Sequence, residues 1–149
     1  MAAWRVGYAV GPAEAIETLA KAFAWQSLAI DGVAQAAALA ALTGPQGWIE
    51  AAVAELAEQR PLAIEAANAS GSLRAELPEA AAFVWAAVEG DEDEWSDRLA
   101  REHGIPALPG RHFGAATPHL RIPFGGRREA REALLERLRL VSDTGSIGV

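Results

Sequence analysis

The sequence predicts an α/β protein in which a long helix separates an irregular, alanine-rich segment from a small two-layer lobe. Three observations carry that expectation. After Gly71 the pattern reads strand, strand, helix, strand, strand, helix, the order of a sheet with helices packed on it. Between Gln46 and Asn68 the apolar positions Ile49, Val53, Leu56, Leu62 and Ile64 mark one long helix. Of the 149 residues 51% are hydrophobic and 22% are charged, a globular balance that argues against disorder throughout.

Taken in order, the first ten residues, ending in Val6-Gly7-Tyr8-Ala9-Val10, read as a short strand closed by Gly11-Pro12, with Pro12 where a first helical turn tolerates it. From Ala13 the spacing of Ile16, Leu19, Ala20 and Phe23 predicts a helix, with Glu14 and Glu17 complementing its dipole. Lys21 falls outside that stripe and is expected to face water. Ser27 to Ile30 is a break, and Asp31 is placed to cap a second short helix through Val33, Ala37 and Ala41. Thr43-Gly44-Pro45 ends it and the long helix follows. Pro61 removes one backbone donor there and predicts a kink near Gln59.

Beyond Gly71, the segments 72–77 and 82–88 are strand candidates, the second carrying Phe83-Val84-Trp85. Asp91-Glu92-Asp93-Glu94 opens an amphipathic helix that ends at His103-Gly104. Ile105 to Leu108 is a further strand candidate, followed by the turn Pro109-Gly110. His119 to Phe124 is another strand, and Gly125-Gly126 leads into a last helix with Leu134, Leu135, Leu138 and Leu140. The polar tail from Ser142 to Val149 is expected to be loose. The first seventy residues supply a lone strand and three helices, too little for a closed core. The pattern therefore expects a further segment before Met1.

Charge and composition narrow the function. The net charge is −7 and the pI is near 4.9, with 13 basic residues, so no general positive field for nucleic acid is present. There is no cysteine, which excludes disulfides, thiolate metal sites and cysteine nucleophiles. The start Met1-Ala2-Ala3-Trp4-Arg5 lacks the layout of a secretory leader, and no apolar run spans a membrane. A soluble, cytoplasmic protein is expected. Lysine chemistry has a single candidate, Lys21, beside twelve arginines among the 13 basic residues.

The acidic run 91–94 reads as a solvated helix N-terminus rather than a metal loop, which needs spaced oxygen donors. His103, His112 and His119 have no ligand spacing, so no metal site is expected. On the last helix, Arg127, Arg128, Arg131, Arg137 and Arg139 interleave with Glu129, Glu132 and Glu136, as in a salt-bridged solvent face. Arg5 and Arg121 differ, because each sits within an apolar strand candidate. Each pairs with a carboxylate of its own fold, lies on an exposed strand face, or holds a ligand anion in a bidentate fork.

These residues carry a resemblance. Trp4-Arg5-Val6-Gly7-Tyr8-Ala9-Val10-Gly11-Pro12 is similar to the segment after the cofactor lysine in class I/II aminotransferases, the fold-type-I pyridoxal-phosphate enzymes. The likeness continues through Gln35-Ala36-Ala37-Ala38-Leu39-Ala40-Ala41-Leu42, then Leu108-Pro109-Gly110 with Phe113-Gly114, and ends in Leu120-Arg121-Ile122-Pro123-Phe124. It implies the C-terminal part of that fold. Residues 1–44 would be a remnant of the large cofactor-binding domain, 45–70 the long interdomain helix, 71–141 the small α/β domain and 142–149 a flexible tail. It also implies transfer of an amino group between an amino acid and a 2-oxo acid on pyridoxal 5'-phosphate, within a homodimer. Arg5 matches the arginine that grips the cofactor phosphate, and Arg121 the arginine that takes the substrate α-carboxylate.

The sequence also departs from the family pattern. The Schiff-base lysine belongs a few residues before Trp4, so this chain contains no catalytic lysine and Lys21 does not replace it. A missing N-terminal segment or partner chain would have to supply it, and the isolated chain is expected to be inactive and not to hold the cofactor stably. Ala80-Ala81-Ala82 stands where the family's approach to this strand usually contains glycine, and Pro61 interrupts a helix that the family keeps regular. The alternative is a non-catalytic assembly or carboxylate-binding domain derived from the same fold.

Overall fold

A computed structural model describes residues 4–141; the expected loose tail lies outside the described residues. The chain divides into two compact units, Met1–Glu50 and Ala51–Val149.

In the first unit, α1 (Ala13–Gln26) follows Pro12, and α2 (Gly32–Thr43) starts where the Asp31 carboxylate accepts from the backbone N–H of Val33 (2.6 Å) and Ala34 (3.0 Å). Gln46 closes the other end of α2 by donating to the carbonyls of Gly44 (2.6 Å) and Ala41 (3.0 Å). Of the strand expected over the first ten residues, the described part, 4–10, contains none and is irregular. A strand needs a neighbour for its ladder, and this unit supplies none among the described residues. Helix α1 buries no residue and α2 buries only Ala34, so the apolar stripes predicted from the sequence stay largely uncovered.

Helix α3 (Gly47–Ala69) contains Pro61 within a single helical range. Its last turns bury Ala63, Ile64, Ala66 and Ala67. There follow β1 (Arg74–Ala75), β2 (Phe83–Ala87), α4 (Glu92–His103), β3 (Leu108–Pro109), a 3-10 turn (Gly110–Phe113), β4 (His119–Pro123) and α5 (Arg128–Arg139). The four strands form one antiparallel sheet in the order β1-β2-β4-β3.

Alternation along the strands sorts the side chains. Val84 and Ala86 of β2, with Leu120 and Ile122 of β4, are fully buried beneath the helices. Trp95 and Leu99 of α4 and Leu134, Leu135 and Leu138 of α5 complete that core. The opposite face carries Phe83, Trp85, Ala87, His119, Arg121 and Pro123, all half-buried.

Polar clips fix the ends of these elements. The Asn68 amide accepts from the Ala75 N–H (2.8 Å) and donates to the Ala75 carbonyl (2.9 Å), extending the sheet onto α3. Arg60 donates to the carbonyls of Glu79 (3.1 Å) and Ala81 (3.4 Å). The clip holds Ala81 at φ 75, a left-handed conformation in which glycine is at ease and alanine is strained. At Gly110 a Cβ would lie 2.7 Å from the His119 Cβ and 3.0 Å from the Ala115 Cβ.

Two substitutions test this reading of the backbone. Ala81→Gly is expected to raise the free energy of unfolding by about 1 kcal/mol. Gly110→Ala should lower it by about 1–3 kcal/mol through overpacking. Urea unfolding of each variant measures both.

Candidate functional site

The open face of the sheet is built around Arg121. In the ladder Arg121 stands opposite Trp85 on one side and Leu108 on the other, at the centre of β4. Its guanidinium carbon lies 4.3 Å from the ring centre of Phe83 and 4.1 Å from that of Phe113. Cation–π contact with two rings orients the group and partly replaces its hydration. Among the described residues no carboxylate is within ion-pair distance of Arg121, and its Nε is buried without a hydrogen-bond partner. Of the readings open for this arginine, the internal ion pair is not found among the described residues. A guanidinium held by rings and short of acceptors retains donors for an external anion.

Aromatic contacts extend from this centre. Trp85 meets Phe113 edge-on at 6.3 Å and 82°, and stacks with His119 at 5.2 Å and 17°. Beside them a groove of about 720 Å³ is lined by Asn68, Leu77, Pro78, Trp85, Ala87 and His119. No group of three or more His, Asp or Glu among the described residues is placed to hold a metal ion.

The acidic run needs a correction. Asp91 caps α4, accepting from the N–H groups of Asp93 (2.7 Å) and Glu94 (3.2 Å). Glu92, however, is not a solvated helix-end residue. Its side chain is 13% exposed, against 60% for Asp93. It accepts from the backbone N–H of Gly110 (3.1 Å), Arg111 (3.2 Å) and His119 (3.1 Å), and from Arg111 Nη1 (3.1 Å). The hydrogen bond from His119 is the largest influence lowering its pKa; the Arg111 and Gly110 donors add to it and desolvation opposes it. Arg111 in turn is raised, chiefly by its bond to Asp93 (2.6 Å). No sequence motif marks Glu92, because its partners lie 18 to 27 residues further along the chain.

A second correction concerns α5. Arg128 pairs with Glu132 at 2.8 Å, as the charge spacing predicts. Arg131 instead is buried, donates to the Gly126 carbonyl (2.6 Å) and pairs with Glu55 of α3. It lies on the stripe that includes Leu134, Leu135 and Leu138, so it faces α3 rather than water.

Arg5 belongs to the first unit. It is exposed and sits in a turn at φ 52, not inside a strand. The turn borders a hollow of about 340 Å³ lined by Trp4, Arg5, Phe23, Ser27, Asp31 and Ala34. An exposed guanidinium beside such a hollow suits an anionic group such as a phosphate. Lys21 is exposed on α1, as expected.

Comparison with known proteins gives these positions a context. The family model for aminotransferases of class I and II matches residues 1–138. An aspartate/prephenate aminotransferase of Thermus thermophilus is 34% identical over 143 residues, spanning 92% of this chain and 36% of the relative. An LL-diaminopimelate aminotransferase of Moorella thermoacetica is 31% identical over 144 residues, with coverages of 95% and 37%. A solved structure of a Thermus thermophilus aspartate aminotransferase mutant superposes with a TM-score of 0.76 at 33% identity, covering 95% of this chain and 40% of that one. The chain thus spans less than two fifths of the length of these curated relatives.

Glu92 yields a prediction about acid stability. Its folded-state pKa lies below its unfolded value, so its contribution is present above the unfolded value and is lost as pH falls through the folded one. Wild type should melt above Glu92→Gln at neutral pH, and the gap should close at acid pH, below about 4.3. Thermal melts of both proteins from pH 7 to pH 3 measure it.

Proposed function

Since this chain belongs to the class I and II aminotransferase family, we propose that it is the C-terminal portion of a pyridoxal-phosphate-dependent aminotransferase. The reaction is transfer of an amino group between an amino acid and a 2-oxo acid. In this reading Arg121 receives the substrate α-carboxylate. The observation that carries it is the guanidinium against Phe83 and Phe113 with no carboxylate partner among the described residues. The two rings set its plane and the buried surroundings strengthen a charge-assisted pair.

Arg5, beside its hollow, contacts the cofactor phosphate. The cofactor, when bound, supplies the electron sink for the chemistry. An exposed Lys21 on the polar side of α1 is a poor anchor for it, because an anchoring amine needs a desolvated setting that lowers its pKa. The isolated chain is therefore inactive. Activity needs the part of the family fold that this chain does not span, within a cytoplasmic homodimer.

A second reading is a non-catalytic assembly domain derived from the fold. It is favoured by the apolar side chains exposed in the first unit, among them Trp25 (93%), Leu28 (99%) and Tyr8 (76%).

Titration of the isotope-labelled 149-residue chain with 2-oxoglutarate, followed by NMR, tests the first reading. Binding should be weak, roughly millimolar or above, since one charge-assisted pair supplies about 1.5–3 kcal/mol. The perturbed resonances should be those of Phe83, Trp85, Phe113 and Arg121, and Arg121→Gln should abolish the response. An unchanged response in Arg121→Gln overturns Arg121 as the carboxylate site.

A further inference from the structure

Resting on that reading of Arg121, we infer that Glu92 is a positioning residue for the carboxylate clamp. Glu92 does not touch the open face of the sheet. It reaches that face through two backbone segments, and each of them carries a member of the clamp.

The first segment is the 3-10 turn Gly110–Phe113. Its first two N–H groups, those of Gly110 and Arg111, both end on the Glu92 carboxylate. Phe113 closes the same turn, and its ring lies 4.1 Å from the Arg121 guanidinium. The second segment is β4. Its first residue, His119, donates its N–H to Glu92 Oε2. Arg121 stands two residues further on, on the same face by the period of a strand. The His119 ring also stacks on Trp85, which meets Phe113 edge-on. One carboxylate thus sets the start of the strand that carries the cation and the turn that carries one of its walls.

Helix capping alone does not account for this arrangement. Asp91 already performs the capping of α4, so Glu92 is released from that task. A glutamate in a first helical turn has favourable contact with the dipole while pointing to water. This one is turned across to a loop, where three backbone donors and one guanidinium donor converge on it. Such convergence holds a ligand-binding group in one geometry, because the donors cannot all be replaced by water without moving the turn.

The test reads the ligand-free chain first. In the labelled 149-residue protein, Glu92→Gln is expected to move the Arg121 Nε–H and Phe113 ring resonances toward the values of a solvated arginine and an unpacked ring. Affinity for 2-oxoglutarate should fall roughly three- to tenfold, the share of one cation–π wall. Arg131→Gln serves as the control for destabilisation alone. It breaks the pairing of α5 with Glu55 and should lower stability while leaving the Arg121 resonance and the affinity unchanged.

A folded Glu92→Gln protein with unchanged Arg121 and Phe113 signals overturns the inference. So does an Arg131→Gln protein that moves them as far. Should Glu92→Gln not fold, Arg111→Gln removes one arm of the same cluster and must shift both signals partway, and no shift again overturns it. The two readings fail separately. A wild-type chain that does not respond to 2-oxoglutarate removes the carboxylate role of Arg121, while the ligand-free resonances still decide the role of Glu92.

Discussion

Five ladder positions between β2 and β4, from Phe83 opposite Pro123 to Ala87 opposite His119, govern the second unit. Strand side chains alternate between faces, so this register decides what is buried and what is offered outward. Val84, Ala86, Leu120 and Ile122 enter the core, and Phe83, Trp85, His119 and Arg121 emerge opposite it. A slip of one residue would place the Arg121 guanidinium under the helices and two core side chains in water, an arrangement that burial energetics forbid. Core formation and presentation of the cation are consequences of one pairing.

The surroundings of Arg121 solve an electrostatic problem. A half-buried guanidinium needs compensation, and a carboxylate neighbour would provide it at the cost of occupying the donors. Aromatic faces attract the cation without accepting its N–H bonds. The latch at Glu92 and the clip at Asn68 belong to the same economy of polar groups. Each satisfies backbone donors at the end of a short element, where no ladder reaches. The first unit has its own clips at the ends of α2, Asp31 and Gln46, but little apolar burial among the described residues. It buries Ala34 and leaves Trp25 and Leu28 in the open, which agrees with a chain spanning less than two fifths of its relatives' length.

How far the sequence could be read depended on where the hydrogen bonds went. Helix α2 was legible from its cap, Asp31, and α4 from the acidic run that opens it, because both signals are local to a first turn. Strands β2 and β4 were legible from their aromatic and β-branched residues. The strand expected at 105–108 shrank to Leu108–Pro109, since the Ile105 N–H bonds the Leu99 carbonyl and continues the end of α4. The strand expected at 72–77 shrank to Arg74–Ala75 for a like reason, the N–H groups of Ser72 and Leu73 being taken by the Ser70 hydroxyl. The strand expected over the first ten residues has no neighbour to pair with among the described residues.

Sequence by itself determined the family, the order of elements in the second unit, the helix caps and the candidacy of Arg5 and Arg121. It also marked the stretch Ala80-Ala81-Ala82 as one where the family usually contains glycine, and the structure places the left-handed residue at Ala81. Tertiary structure alone decided that Arg121 lies against two phenylalanines with no acid partner among the described residues, that Arg131 is buried against α3, and that Glu92 serves a distant turn. The division is physical: periodicity and caps act over a few residues and leave a pattern in the string. The partner of a charge across 18 to 76 positions is chosen by packing, and packing leaves no local signature.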